Sequence, residues 1–187
     1  FSYFLGVAQQ TSVYSEKPTL VPVRVALVTR IVVGAVSPPA ADMSGPFVTF
    51  TVGDQVFGVP VAQVQDILTL DAIAPVPLGP PEVRGMINLR GRIVTVVDVS
   101  TRLGMKQAEP SPGRRAMGVT VENGTESYTL LVDRVGDVVS LPSHLHEANP
   151  ATLDALWREF ADGVFRVKER LLVILDVARL LNIRAKA

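Results

Sequence analysis

Residues 84–104 read RGMINLRGRIVTVVDVSTRLG, and residues 162–182 read DGVFRVKERLLVILDVARLLN. Laid over one another with a shift of 78 and no gap, Gly85 falls on Gly163, Arg92 on Arg170, Asp98 on Asp176, Val99 on Val177 and Leu103 on Leu181. Apolar residues meet apolar residues between those points. The runs Ile93–Val97 and Leu171–Leu175 lack the alternation of a half-exposed strand, so each reads as a strand buried on both faces. Each run is followed by an aspartate and then a short apolar segment. Asp98 and Asp176 are therefore read as helix N-caps, structural residues whose carboxylates accept from the free N–H groups of the first turn. Gly104 is the matching stop.

Working outward, a shift of 71 lays YTLLVDRVGDVV (128–139) on FGVPVAQVQDIL (57–68), with Val135 on Val64 and Asp137 on Asp66. Two adjacent alignments in the same order point to an internal repeat, and to two related β units built as small barrels or curled sheets. Closure suits such short strands because it removes unpaired edges. Gly53-Asp54 lies between two β-prone runs within 47–61, and Asn123-Gly124 between Arg115–Val121 and Ser127–Val132, so each marks a hairpin. For Ala62–Leu70 a short helical turn and a bent strand both remain open. Pro75, Pro77, Pro80 and Pro81 exclude regular structure in their stretch. One segment has no counterpart in the repeat. N149-P-A-T-L-D-A-L-W-R-E-F160 opens on an Asn cap with Pro at the first helical position. It places Leu153, Leu156, Trp157 and Phe160 on one face. Trp157 is read as structural, covering a barrel or the seam, with an exposed partner anchor as the other reading.

The chain has 187 residues, 48% of them apolar and 19% charged, which suits packed structure better than disorder. Eighteen basic residues balance eighteen acidic ones, so nucleic acid is not an expected partner. With no cysteine, disulfides, thiol chemistry and cysteine-rich zinc sites are excluded. Ser37–Pro46 reads as a linker. Residues 1–46 are an expected N-terminal extension, and 47–187 the folded domain. Thr19–Val36 is the one candidate membrane segment. It carries Arg24, Arg30 and Pro22, so a loose extension or an added strand is the expected reading and no direct membrane insertion is expected.

Chemistry is thinly provided. His144 and His146 with Glu147 could hold a metal on an extended segment, but no fourth ligand is evident, and a solvated loop is the expected reading. No nucleophile or phosphate-loop motif occurs, and the glycines of 79–91 lack a strand–turn–helix context. Asp66, Asp71, Glu82 and Asp98 show no spacing that would pair two carboxylates for acid–base work. No catalytic residue, metal or cofactor is expected, and the chain is not read as an enzyme. Arg90 stands out, in N-L-R-G before the buried strand, with Lys168 at the matching place in the second copy. It either bridges a carboxylate, Asp66 being nominated, and so locks a loop or the joint between the two units, or anchors a partner.

The blocks V59-P-V-A-Q-V-Q-D-I67, P75-V-P-L-G-P-P-E-V-R-G-M-I-N-L-R-G-R-I-V-T-V-V-D-V99, L131-V-D-R-V-G-D-V-V-S-L141 and R170-L-L-V-I-L-D-V-A-R-L-L181 resemble the CheW-type domain of bacterial chemotaxis. The resemblance covers about three quarters of the chain, from Phe47 onward. It implies an all-β fold of two SH3-like five-stranded barrels packed around a shared hydrophobic core, with short helices. It also implies a cytoplasmic, non-enzymatic adaptor at membrane-bound receptor arrays, with two partners: a chemoreceptor cytoplasmic tip and the regulatory domain of a CheA-type histidine kinase. By motif match, the receptor-facing residues would be Val64, Asp66, Gly85, Asn88, Arg90 and Gly91. Val135 and Val138, in the stretch Val135–Val139, would belong to the kinase-facing side. Asp66 stands where the family more often has Glu, one methylene longer, so a looser or water-mediated bridge to Arg90 is expected. Two alternatives remain: a CheW-like domain cut from a larger signalling protein, and a small-molecule sensor using the seam as a pocket.

Overall fold

The computed structural model describes residues 45–105, 116–167 and 170–183. The Thr19–Val36 segment, nearly all of the expected extension, Arg115 and Lys168 lie outside the described residues. The first half supplies β1 (Pro46–Val52), β2 (Gln55–Pro60), β3 (Val64–Leu70), β4 (Val83–Leu89), β5 (Arg92–Asp98) and α1 (Val99–Arg102). The second supplies β6 (Ala116–Asn123), β7 (Glu126–Val132), β8 (Arg134–Ser140), β9 (His146–Glu147), α2 (Ala155–Phe160), β10 (Ala161–Val167), β11 (Arg170–Leu175) and α3 (Val177–Leu181).

Two mixed sheets result, each curled in the SH3-like manner. Barrel I has the order β8-β1-β2-β11-β10-β9, and barrel II the order β3-β6-β7-β5-β4. Neither barrel is a continuous piece of chain. Under the repeat, β1 to β5 correspond to β6, β7, β8, β10 and β11. Each barrel therefore joins the hairpin of one half to the last three strands of the other. Two parallel ladders seal this exchange of hairpins, β2 on β11 and β7 on β5. All other pairings are antiparallel.

The repeat extends to its irregularities. The β3–β6 ladder slips between Val64 and Asp66, and the β1–β8 ladder slips opposite the equivalent stretch from Val135 to Val138. β4 is bulged before Gly85 and β10 before Gly163, and the two glycines have φ of 152° and 153°. Asp98 accepts from the Thr101 N–H at 3.2 Å, and Asp176 from the Arg179 N–H at 3.0 Å. Both caps expected from sequence are present.

The lack of alternation in the apolar strands follows from two cores lying on either side of them. Val94 and Val96 of β5 pack inside barrel II with Leu70 and Ile87. Leu172 and Ile174 of β11 pack inside barrel I with Phe47 and Phe165. The opposite faces, through Val97, Val173 and Leu175, join one shared core with Phe50, Phe57, Val121, Leu130 and Leu180. Ile93 corrects the expectation, being 68% exposed, because the strand there runs past the shared core.

Ala62–Leu70 uses both open readings, a 3-10 turn at Val61–Gln63 and then β3. The Asn149 cap is also corrected. The cap lies five residues later, where Asp154 accepts from the Leu156 N–H at 2.8 Å and α2 begins at Ala155. Leu153 N–H closes a turn on the Pro150 carbonyl, and the Asn149 amide is committed to the Ala161 carbonyl. Trp157 packs partly buried against the shared core. Its indole N–H donates to the Leu103 carbonyl at 3.0 Å, and its ring lies edge-on to Phe57 at 5.4 Å.

Candidate functional site

The β4–β5 hairpin turns in two residues, Arg90 and Gly91, both with positive φ (53° and 86°). This is the type I′ geometry that matches the twist of the flanking strands. Asparagine and glycine are the usual occupants of its first position, so an arginine there holds a sparsely populated conformation. Asn88 supports the turn by accepting from the Gly91 N–H at 2.8 Å. The result is a guanidinium on a fixed base, with its side chain 79% exposed.

Arg90 Nη2 reaches Asp66 Oδ2 at 2.7 Å. The shorter aspartate therefore makes a direct contact, and the looser or water-mediated bridge expected from sequence is corrected. The bulge in β3 re-aims the strand at that point, and Asp66 holds its other oxygen on the Ile67 N–H at 3.0 Å. β3 and β4 are the two edges of barrel II, so the ion pair ties one edge to the turn beyond the other. With so much of the arginine in water, such a pair stabilises the fold by only about 0–1 kcal/mol.

A second tie lies farther along the same edges, where Ala74 and Met86 exchange both backbone hydrogen bonds at 2.8 and 2.9 Å. Gly85 is buried beneath this strap. A methyl on it would run into the Ala74 carbonyl oxygen and come within 2.6 Å of Ile73 Cγ2. Of the expected site residues, Gly85 thus sits in the interior and shapes the surface from below. Asn88, Arg90 and Gly91 are exposed.

Val64 packs half-buried against the shared core, opposite Val121 of β6. Val135 and Val138 also pack half-buried on that core, opposite Phe50 and Val48 of β1. β8 adjoins β6 across the seam. The structure therefore gathers Val64, Val135 and Val138 on one core, while Arg90 and Asp66 stand at the mouth of barrel II.

The histidines are placed differently from the expected loop. His146 and Glu147 form β9, the His146 ring lies 5.2 Å from Phe165, and Glu147 pairs with Arg166 at 3.2 Å. No three metal-binding side chains converge among the described residues. Asp98, 6% exposed, is committed to Ser100 Oγ and the Thr101 N–H. No helix among the described residues is long and apolar enough to cross a membrane.

Sequence reading missed Arg102. Its guanidinium donates to the carbonyls of Leu180 and Asn182, each at 2.9 Å, approaches Glu82 at 3.5 Å and lies 4.6 Å over the Phe160 ring. A cation at the C-terminal end of α3 is also favoured by the helix dipole. This arginine, rather than Arg90, joins the two halves. Sequence offered no signal for it, since its main acceptors are backbone carbonyls that any residue type supplies.

Comparison with known proteins agrees with this architecture. A model described as CheW-like domain matches residues 46–185. Over 130 residues, 70% of this chain, the sequence is 34% identical to a chemotaxis protein CheW of Rhizobium meliloti strain 1021, 83% of which is covered. It is 27% identical to the protein PilI of Pseudomonas aeruginosa over 145 residues, covering 77% of this chain and 80% of that one. The crystal structure of the scaffolding protein TtCheW from Thermoanaerobacter tengcongensis superposes with a TM-score of 0.67 at 25% identity, covering 77% of this chain and 97% of the other.

Proposed function

The chain belongs to the family of CheW-like domains, and from that membership we propose that it is a non-enzymatic adaptor coupling chemoreceptor cytoplasmic tips to the regulatory domain of a CheA-type histidine kinase. It would act at the cytoplasmic face of receptor arrays, held there through protein contacts. An adaptor needs rigid surfaces in a fixed relation rather than an activated group, and two barrels on one shared core supply that relation.

One observation supports the receptor assignment above the others. Arg90 is held on a two-residue turn in a conformation unusual for an arginine, and yet most of its side chain faces water. A stability role does not account for that arrangement, because an exposed ion pair contributes so little. Recognition does, since an arginine with a fixed base loses little freedom on docking. Asp66 orients the guanidinium, Asn88 and Gly91 set the turn, and Gly85 positions the strap beneath. Val64 adds an apolar contact at the seam. On the β8 side, Val135 and Val138 are proposed for the kinase domain.

The test is calorimetric titration of the full chain, wild type and Arg90→Ala, with a purified CheA-type regulatory domain and separately with a receptor-tip fragment. Wild-type binding to both at micromolar concentration or tighter, with Arg90→Ala losing only the receptor, is the expected result. A folded wild-type chain that binds neither partner would sink the adaptor reading.

A further inference from the structure

The outer faces of the two barrels can be compared position by position. In barrel I, Val164 and Val173 are each 0% exposed, Leu171 is half-buried, and Phe57 lies buried under the edge of Trp157. The repeat places Met86 at the position of Val164, Thr95 at Val173, Ile93 at Leu171 and Tyr128 at Phe57. These four form one surface, since Met86 pairs with Thr95 across β4–β5 and Thr95 with Tyr128 across β5–β7. Here Met86 is 38% exposed and Ile93 68%, with Thr95 and Tyr128 half-exposed.

The difference traces to α2 and the turn before it, the segment without a counterpart in the first half. Leu153, Trp157 and Phe160 pack in the same cluster as Phe57, Val164 and Val173. In barrel II the chain between β3 and β4 is instead the proline-rich stretch, which supplies no helix. Barrel I thus shows what covers such a face: Leu153 from a tight turn, then a short helix carrying Trp157 and Phe160, while the helix's own Leu156 stays 36% exposed. Arg84, two residues before Met86 on the edge strand β4, is exposed and has no ion pair among the described residues.

We infer that the outer face of β4–β5, centred on Met86, Ile93 and Tyr128, is a docking site for an amphipathic helix of a partner protein. That helix presents aromatic and leucine side chains to the face and an acidic side chain to Arg84. Its aromatic ring takes the place over Tyr128 that Trp157 takes over Phe57. Helix-in-groove recognition through spaced apolar anchors is the physical mode. The inference does not depend on the receptor and kinase assignments above.

The test uses the full chain labelled at its Met and Ile methyl groups. The probe is a stapled synthetic helix with Leu, Leu, Trp and Phe at the spacing of Leu153, Leu156, Trp157 and Phe160, and Glu elsewhere. Saturable shifts of the Met86 and Ile93 methyl signals are expected, with no shift from a scrambled peptide of the same composition. Met86→Ser with Ile93→Ser should weaken binding at least ~10-fold, and Arg84→Glu several-fold, each with the rest of the spectrum unchanged. Absence of shifts at millimolar peptide, shifts centred instead on the Val64–Val135 seam, or self-association of the chain through Met86 and Ile93 would each overturn the inference.

Discussion

In barrel I the chain returning from β8 adds a short strand, β9, whose His146 ring lies on Phe165, and α2 then covers the outer face. In barrel II the chain returning from β3 makes a two-bond bridge at Ala74, an ion pair reaches from Asp66 to Arg90, and no helix follows. The elements common to both barrels, the bulged strand, the glycine beneath the strap, the two-faced apolar strand and the capped helix, are those required to close and pack a barrel. The differences lie at edges and outer faces, where closure leaves room for variation. Barrel I spends those positions on burial. Barrel II leaves an arginine, a methionine and an isoleucine facing water, and the proposals that place recognition on barrel II rest on that asymmetry between equal scaffolds.

The largest expected effect probes what the barrels share. A methyl at Gly85 meets backbone, the Ala74 carbonyl, at a φ that side-chain-bearing residues avoid. A methyl at Gly163 meets chiefly the His146 ring, whose side chain can turn away, although the Glu147 carbonyl is also 2.8 Å off. Gly85→Ala should lose about 3–5 kcal/mol, combining backbone strain with overpacking, and Gly163→Ala measurably less. Urea unfolding of both variants checks the order. Equal losses would show that strain alone decides and that the two straps are equivalent.

Next in size is the joint between the halves. Arg102→Ala removes two 2.9 Å bonds to the end of α3 and the cation over Phe160. A loss of about 1–3 kcal/mol is expected, because the part-buried Leu180 carbonyl is left unpaired and the contact over Phe160 is lost, while the exposed Asn182 carbonyl can turn to water. Arg102→Lys should recover only part of it, since an ammonium cannot serve the same fork of acceptors. Urea midpoints measure both, and full recovery by lysine would reduce the joint to charge alone.

These two residues also mark what sequence could and could not disclose. The hairpins at Gly53-Asp54 and Asn123-Gly124, the caps at Asp98 and Asp176 and the two-faced strands were all legible, because each is decided by neighbours along the chain. The repeat was legible as well, and with it the pairing of Gly85 with Gly163. The exchange of hairpins was not. It rests on parallel ladders between β2 and β11 and between β5 and β7, and parallel partners leave no turn signature in the sequence. The helix start was misplaced because Asn149-Pro150 satisfies the rule for a first turn equally well when it merely opens a tight turn. Within the candidate site, the Asp66–Arg90 partnership was legible from the repeat unit. The left-handed backbone of Arg90 and the bare Met86–Ile93 face became visible only once the barrels could be compared in space.

A smaller effect separates contact from lock at Arg90. Replacing it with glycine deletes the ion pair, worth about 0–1 kcal/mol at this exposure, and relieves a left-handed residue at roughly 1–2 kcal/mol. Arg90→Gly should therefore unfold at the same or a higher urea concentration than wild type. It should at the same time lose receptor-tip binding in the titration above. A clear drop in stability would instead make the pair to Asp66 a structural tie of barrel II, leaving its asymmetry with barrel I a matter of packing.

The smallest effect concerns the ring that corresponds to Phe57. Tyr128 donates its hydroxyl to Glu126 Oε2 at 2.6 Å. That hydrogen bond first, and then partial burial and the carboxylate's charge, hold the phenol above its usual value of 10.0. Because the folded chain favours the protonated phenol, the stabilisation from this pair is fully present below pH 10 and lost as pH rises through the raised value. Ultraviolet difference titration of wild type against Tyr128→Phe isolates this one phenol, and Glu126→Gln should move its midpoint back down. The same midpoint reports on the outer face of barrel II. A helix seated there buries the ring further, so the stapled peptide should push the titration higher still in wild type. An unchanged midpoint in the presence of saturating peptide would mean that the occupant does not reach Tyr128, and that the likeness to Trp157 over Phe57 stops at Met86 and Ile93.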